Sequence, residues 1–184
     1  EMKGNWEEAA QLHSKAWLLR KAKLGEAHSD TLCSLDGLAR VRTAKEEHSE
    51  AEPLLNESWS LRKAALGETH PDTLTALAAL ANCHYSQGHL APAEKLFTEL
   101  YTSHKAALGA SHPDALSAMH SLAVTYHSAG NTEMAYACYN EALSKRWEVL
   151  GQAHPDSIAT MDLYEQLLKE MGMMENADDG TAEG

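Results

Sequence analysis

Cysteine, positive charge and long apolar stretches are all scarce in this chain of 184 residues, and each scarcity removes a class of protein. The three cysteines, Cys33, Cys83 and Cys138, stand far apart without CxxC spacing. That excludes a disulfide framework and a cysteine-based zinc site, and it points to a reducing, cytoplasmic compartment. Lys plus Arg number 15 against 27 Asp plus Glu, a net charge of -12. Nucleic-acid affinity rests on neutralising phosphates with cations, so nucleic acid is not an expected partner and a basic partner suits the chain better. Apolar runs are short, such as Leu77 to Ala81. None approaches the roughly 20 residues of a membrane helix, and no signal peptide opens the chain, which therefore reads as soluble and free of membrane. The absence of an initiator Met before Glu1 suggests a fragment or a processed chain. No HExxH, nucleophile elbow or phosphate loop appears, so no enzymatic activity, metal or cofactor is expected.

The chain does hold 43% hydrophobic against 23% charged residues, enough apolar material for a core. It is organised by repetition. One phrase recurs as Leu24-Gly25-Glu26-Ala27-His28-Ser29-Asp30, Leu66-Gly67-Glu68-Thr69-His70-Pro71-Asp72, Leu108-Gly109-Ala110-Ser111-His112-Pro113-Asp114 and Leu150-Gly151-Gln152-Ala153-His154-Pro155-Asp156, a constant step of 42 residues. A second column holds Gly4, Gly88, Gly130 and Gly172, with Glu46 as its single departure. Four periods therefore run from Gly4 to Gly172.

Each period contains two helical patterns. Leu74, Leu77, Leu80, Ala81 and His84 follow the three-and-four step of a helix with one buried stripe, repeated by Leu116, Met119, Leu122, Ala123 and Tyr126. These are the A helices. Ala93, Leu96, Phe97, Leu100 and Tyr101, matched by Ala135, Cys138, Tyr139, Ala142 and Leu143, mark the B helices. Pro at the first helical position, Asp in the first turn and Gly beyond the last turn mark the boundaries. They predict B helices near 5–24, 47–66, 89–108 and 131–150, and A helices near 30–44, 71–87, 113–129 and 155–171. Short turns make neighbours antiparallel, so the expected fold is an all-α solenoid of about eight helices, an elongated curved array over 1–171 followed by an acidic, disordered tail over 172–184. Its first and last helices each lack a neighbour.

A period of 42 also fits HEAT or armadillo repeats, and the small residues decide. Leu80-Ala81, His84 and Gly88, then Ala93 and Phe97, with Leu122-Ala123, Tyr126, Gly130, Ala135 and Tyr139 one step later, look like the tetratricopeptide pattern. Together with the His-Pro-Asp punctuation and endings such as Leu61-Arg62-Lys63-Ala64-Ala65-Leu66-Gly67, the chain from Gly4 to Gly172 resembles the long tetratricopeptide repeats of kinesin light chains. The resemblance implies a right-handed superhelix and a non-catalytic protein-interaction module or adaptor, whose concave groove, lined by the A helices, takes a partner peptide. Carried onto this sequence, the groove columns are Cys33, Thr75, Ser117 and Ala159; Asp36, Ala78, His120 and Asp162; Arg40, Asn82, Val124 and Gln166; and Thr43, Tyr85, His127 and Lys169. The Asn pair that kinesin light chains often carry is replaced by Asp36-Gly37, Ala78-Ala79, His120-Ser121 and Asp162-Leu163, which speaks against kinesin-cargo recognition. The cations of a chaperone-type carboxylate clamp are also missing from Asp36, Ala78, His120 and Asp162. The alternative function is structural, a segment of a larger assembly or the sensor arm of a signalling ATPase, with self-association through the exposed end helices.

Among individual residues, His28, His70, His112 and His154 occur one per repeat and cannot converge to about 2 Å from one ion, so they read as structural turn residues. His120 and His127 share an A-helix face as polar groove contacts, with a pH-dependent role as the rival reading. Arg20, Lys21, Lys23, Arg62, Lys63, Lys105, Lys145 and Arg146 gather in the last turns of the B helices, where cations complement the negative helix end and cover apolar surface; a convex stripe for an acidic partner or membrane is the rival. Trp17 and Trp59 read as interhelical packing, and Trp147, in a column otherwise of lysines, as an exposed aromatic. Tyr85 and Asn82 are the expected central groove contacts. Cys33 has no base beside it to make a reactive thiolate.

Overall fold

The computed structural model describes residues 3–174. Among them are eight helices and no strand: α1 (Lys3–Leu24), α2 (Ser29–Ala44), α3 (His48–Leu66), α4 (Pro71–Ser86), α5 (Leu90–Leu108), α6 (Pro113–Ser128), α7 (Thr132–Leu150) and α8 (Pro155–Glu170). They pair in the alternating B and A order expected, as an all-α solenoid. Boundaries agree with the punctuation to within a residue or two. The exception is the start: Gly4 lies inside α1 rather than in a turn. At a helix N-terminus the first N–H groups have no intrahelical partner, so glycine costs little there. Of the acidic tail expected over 172–184, Glu175, Asp178, Asp179 and Glu183 lie outside the described residues.

The chain forms two compact units, Glu1–Ser103 and His104–Gly184, divided within α5. In the first, α1 packs on α2, α2 on α3 and α3 on α4; in the second, α6 packs on α7, α7 on α8, and α6 also touches α8. Close packing comes from small residues. Ala51, Ala93 and Ala135, one column of the B helices, are each 0% exposed. Around Ala51, the apolar residues Ala39, Leu55, Leu80 and Cys83 of α2, α3 and α4 form one buried cluster. Large residues flank the small ones: Leu35, Leu77, Leu116 and Tyr139 are fully buried, the leucines contributing roughly 1.5–3 kcal/mol each.

Both ends of the A helices are chemically closed. At the N-terminus the punctuation histidine is itself the cap: Nδ1 of His28, His70, His112 and His154 accepts the backbone N–H of Asp30, Asp72, Asp114 and Asp156 respectively, at 3.2 Å each time. Serine, threonine or aspartate usually does this. The turn role expected of these histidines is therefore a specific one. At the C-terminus, the N–H groups of Gly88 and His89 bond the carbonyls of Tyr85 and His84 at 2.9 Å, a Schellman closure with Gly88 at φ 75°. α2 closes the same way through Glu46 and Glu47, although the left-handed position is held by Glu46 at φ 62°, the sole non-glycine with positive φ among the described residues.

That departure sets up a paired test. Glu46→Gly is expected to raise stability by about 1 kcal/mol, and Gly88→Ala, whose added Cβ meets nothing within 4 Å, to lower it by about 1 kcal/mol through backbone strain alone. Urea unfolding midpoints at unchanged m-value measure both.

Candidate functional site

In the first unit, α1, α2, α3 and α4 line a cleft of about 430 Å³. Val41, Leu55, Ala79 and Cys83 supply apolar lining; Arg40, Thr43 and Asn82, three of the expected groove residues, supply polar groups. Arg40 and Asn82 are exposed, and neither side chain makes a hydrogen bond or ion pair among the described residues. Trp6 and His13 complete the lining from α1. His13 stands in the column of Leu55, Phe97 and Tyr139, all buried. It fits because α2 carries glycine opposite: a Cβ on Gly37 would lie 2.3 Å from the His13 ring.

The other expected groove residues of this unit are placed differently. Asp36 is half-buried and engaged within the protein, its Oδ2 accepting from Arg62 Nη2 at 2.6 Å and its Oδ1 from Ser58 Oγ at 2.5 Å. Ala78 and Tyr85 are half-buried on α4 and do not line the cleft. Cys33 is an exposed free thiol, whereas burial pushes the Cys83 and Cys138 thiols up.

In the second unit, α6 presents His120, Val124 and His127, all half-buried, and α8 presents Asp162, Gln166 and Lys169. His120 Nδ1 lies 3.1 Å from Thr160 Oγ1, and its ring stands edge-on to Tyr139 at 6.0 Å. His127 Nε2 meets Glu170 Oε2 at 2.7 Å, and Gln166 Nε2 donates to the same carboxylate at 2.8 Å. These bonds, His127's first, hold Glu170 below the usual carboxylate range. Three of the six expected residues here are thus bonded within the unit.

Two of the B-helix arginines, expected to complement the helix end and cover apolar surface, are instead buried, while Arg20 is exposed. Arg62 is 7% and Arg146 3% exposed. Arg20 Nη1 donates to the Asp30 carbonyl at 3.1 Å and to Ser34 Oγ at 2.7 Å, gripping the first turn of the next A helix. Arg146 does the same to the Asp156 carbonyl, at 2.6 Å, and to the Thr160 hydroxyl. At the equivalent of Ser34 and Thr160 the second repeat has Ala76, and there Arg62 turns back to Asp36 and Ser58 instead. The lysines do stay near the surface: Lys21 and Lys63 pair with Glu57 and Glu99, both at 3.4 Å, and lie over the rings of Trp17 and Trp59. Trp147 is 38% exposed, as its column suggested.

A tetratricopeptide repeat profile matches residues 42–106, and a second one matches residues 115–156. The fold is similar to that of a kinesin light chain-like protein of Podosopora anserina with nearly identical TPR-like repeats: TM-score 0.81, 24% identity, covering 92% of this chain and 81% of that one. A point variant of that protein matches with a TM-score of 0.82, 24% identity, and 92% and 80% coverage. No curated protein sequence matches significantly.

Burial first, and the Arg146 charge second, push the His120 imidazole from the usual 6.5 down to about 4. The fold keeps it neutral where the unfolded chain takes up a proton, so stability is full above about pH 6.5 and falls as the pH drops toward 4. His120→Gln should remove this component, narrowing the loss between pH 7 and 4.5 by on the order of 2 kcal/mol. Urea unfolding of both proteins at the two pH values reads it directly.

Proposed function

Because this chain belongs to the tetratricopeptide repeat family, a family of protein-interaction and scaffold modules, we propose that it acts as a non-catalytic adaptor holding a partner peptide against its A helices, in the cleft of the first unit. The observation that carries this reading is the pair of unengaged polar groups, Arg40 and Asn82, beside an apolar lining. Asn82 can donate to and accept from a peptide backbone, Arg40 can take a carboxylate or carbonyl, and the space between accepts one apolar side chain. Affinity for a short peptide is expected to be micromolar, about -8 kcal/mol. Asp162, Gln166 and Lys169 extend the reading to α8 in the second unit. Net charge of -12 supports a protein rather than a nucleic-acid partner. No described helix is long and apolar enough to cross a membrane. The unpaired cysteines support a cytoplasmic location.

A second reading, assembly through the end helices, is supported by α1, where Leu12, Leu18 and Leu19 are 61%, 56% and 54% exposed. Mass growing with concentration in sedimentation, and abolished by Leu18→Glu, would favour it.

The cleft is tested with peptides selected by display on the full chain. Asn82→Trp, which fills the cleft, should weaken their binding in fluorescence anisotropy by about tenfold or more, and Thr98→Ala, on the exposed face of α5, should not. Equal affinities for wild type and Asn82→Trp would refute the cleft assignment.

A further inference from the structure

Away from the cleft, α3 and α4 bring together three side chains that the adaptor reading does not use. Glu52 on α3, His84 in the last turn of α4 and His89 just beyond its cap each offer a donor atom, and the three atoms lie within 4.8 Å of one another. Glu52 and His84 also line a depression of about 430 Å³ between the helices. His84 Nδ1 is buried and makes no hydrogen bond, although the Glu52 carboxylate is 4.0 Å away. A buried imidazole nitrogen left without a partner, 4.0 Å from a carboxylate, is unfavourable unless something bridges them. The carboxylate is already oriented, because Gln87 Nε2 donates to Glu52 Oε2 at 2.8 Å. Outer bonds of this kind aim metal ligands.

The repeat shows that the arrangement is particular to this position. One period earlier the same three columns hold Ala10, Arg42 and Glu47; one period later, Glu94, Tyr126 and Asn131. Arg42 and Glu47 form an ion pair at 2.7 Å, so the fold brings these two columns within bonding distance. Here that pair is replaced by two imidazoles, beside a glutamate in place of Ala10.

We propose that Glu52, His84 and His89 form a site for one Zn2+-class divalent cation, with a coordination position left for water or a partner's side chain. Two imidazoles and one carboxylate suit a borderline transition ion, whereas Mg2+ and Ca2+ require oxygen donors. Tetrahedral zinc ligands stand about 3.4 Å apart, so the donors must close by up to about 1.4 Å. His89 is exposed and Glu52 half-buried on the wall of the depression, which leaves both side chains room to turn. The ion would tie α3 to the C-terminal turn of α4 and stabilise the fold by mass action.

The test uses the full chain, stripped with EDTA and titrated with ZnCl2 by calorimetry, with thermal unfolding in parallel. Wild type should bind one equivalent saturably, with an upward shift in Tm, and an excess of Mg2+ or Ca2+ should not displace the ion. His89→Ala, at an exposed position outside the core, and Glu52→Gln should each weaken zinc binding by about tenfold or more and abolish the Tm shift. Cys33→Ser should leave both unchanged. The proposal is overturned if wild type shows no saturable binding, if His89→Ala and Glu52→Gln bind as wild type does, or if the tight equivalent disappears with Cys33→Ser.

Discussion

Close approach of neighbouring helices across Ala51, Ala93 and Ala135 is the constraint from which the other features follow. Any larger side chain in that column would force the pair apart and open the leucine layers on either side. Contact through alanine also requires helices of equal length, reversed at the same place in every period. The caps meet that requirement: a histidine ring at one end of each A helix and a left-handed residue at the other. Between them the helix has no freedom to slide, and the A-helix faces stay in register within each unit.

Burial of arginine is the electrostatic counterpart of that packing. A guanidinium in an interior must have its donors satisfied. Arg146 solves this with a carbonyl and a hydroxyl from the following A helix and with Ser117 of the preceding one, and Arg20, although exposed, makes the same two forward bonds. Arg62, facing Ala76, finds a carboxylate on the preceding A helix. One column thus makes two kinds of bond, and the forward one forms where Ser34 or Thr160 stands in place of Ala76. The choice has a functional consequence, because Asp36, which satisfies Arg62, is no longer an unpaired acid available to a partner.

Both proposed sites lie where the repeats differ. The cleft exists where His13 takes the place of a large apolar residue and Gly37 removes the Cβ that would meet it. The proposed cation site lies where two histidines take the place of an ion pair. Neither feature involves the residues that recur four times, which are committed to turns and packing.

Helix number, order and boundaries were legible from the sequence because they rest on local chemistry: periodic leucines, Pro at the helix start, Gly at its end. The exposure of Trp147 was legible for the same reason, from its break with a column of lysines. The side-chain partners were not. Whether Arg62 turns forward or back, whether His120 faces solvent or Thr160, and whether Asp36 is free depend on distances between helices that no spacing encodes. His13 and Gly37 did carry a signal, as departures from their columns. Its meaning required the two helices to be brought together, since only there does the missing methyl of one become the space occupied by the ring of the other.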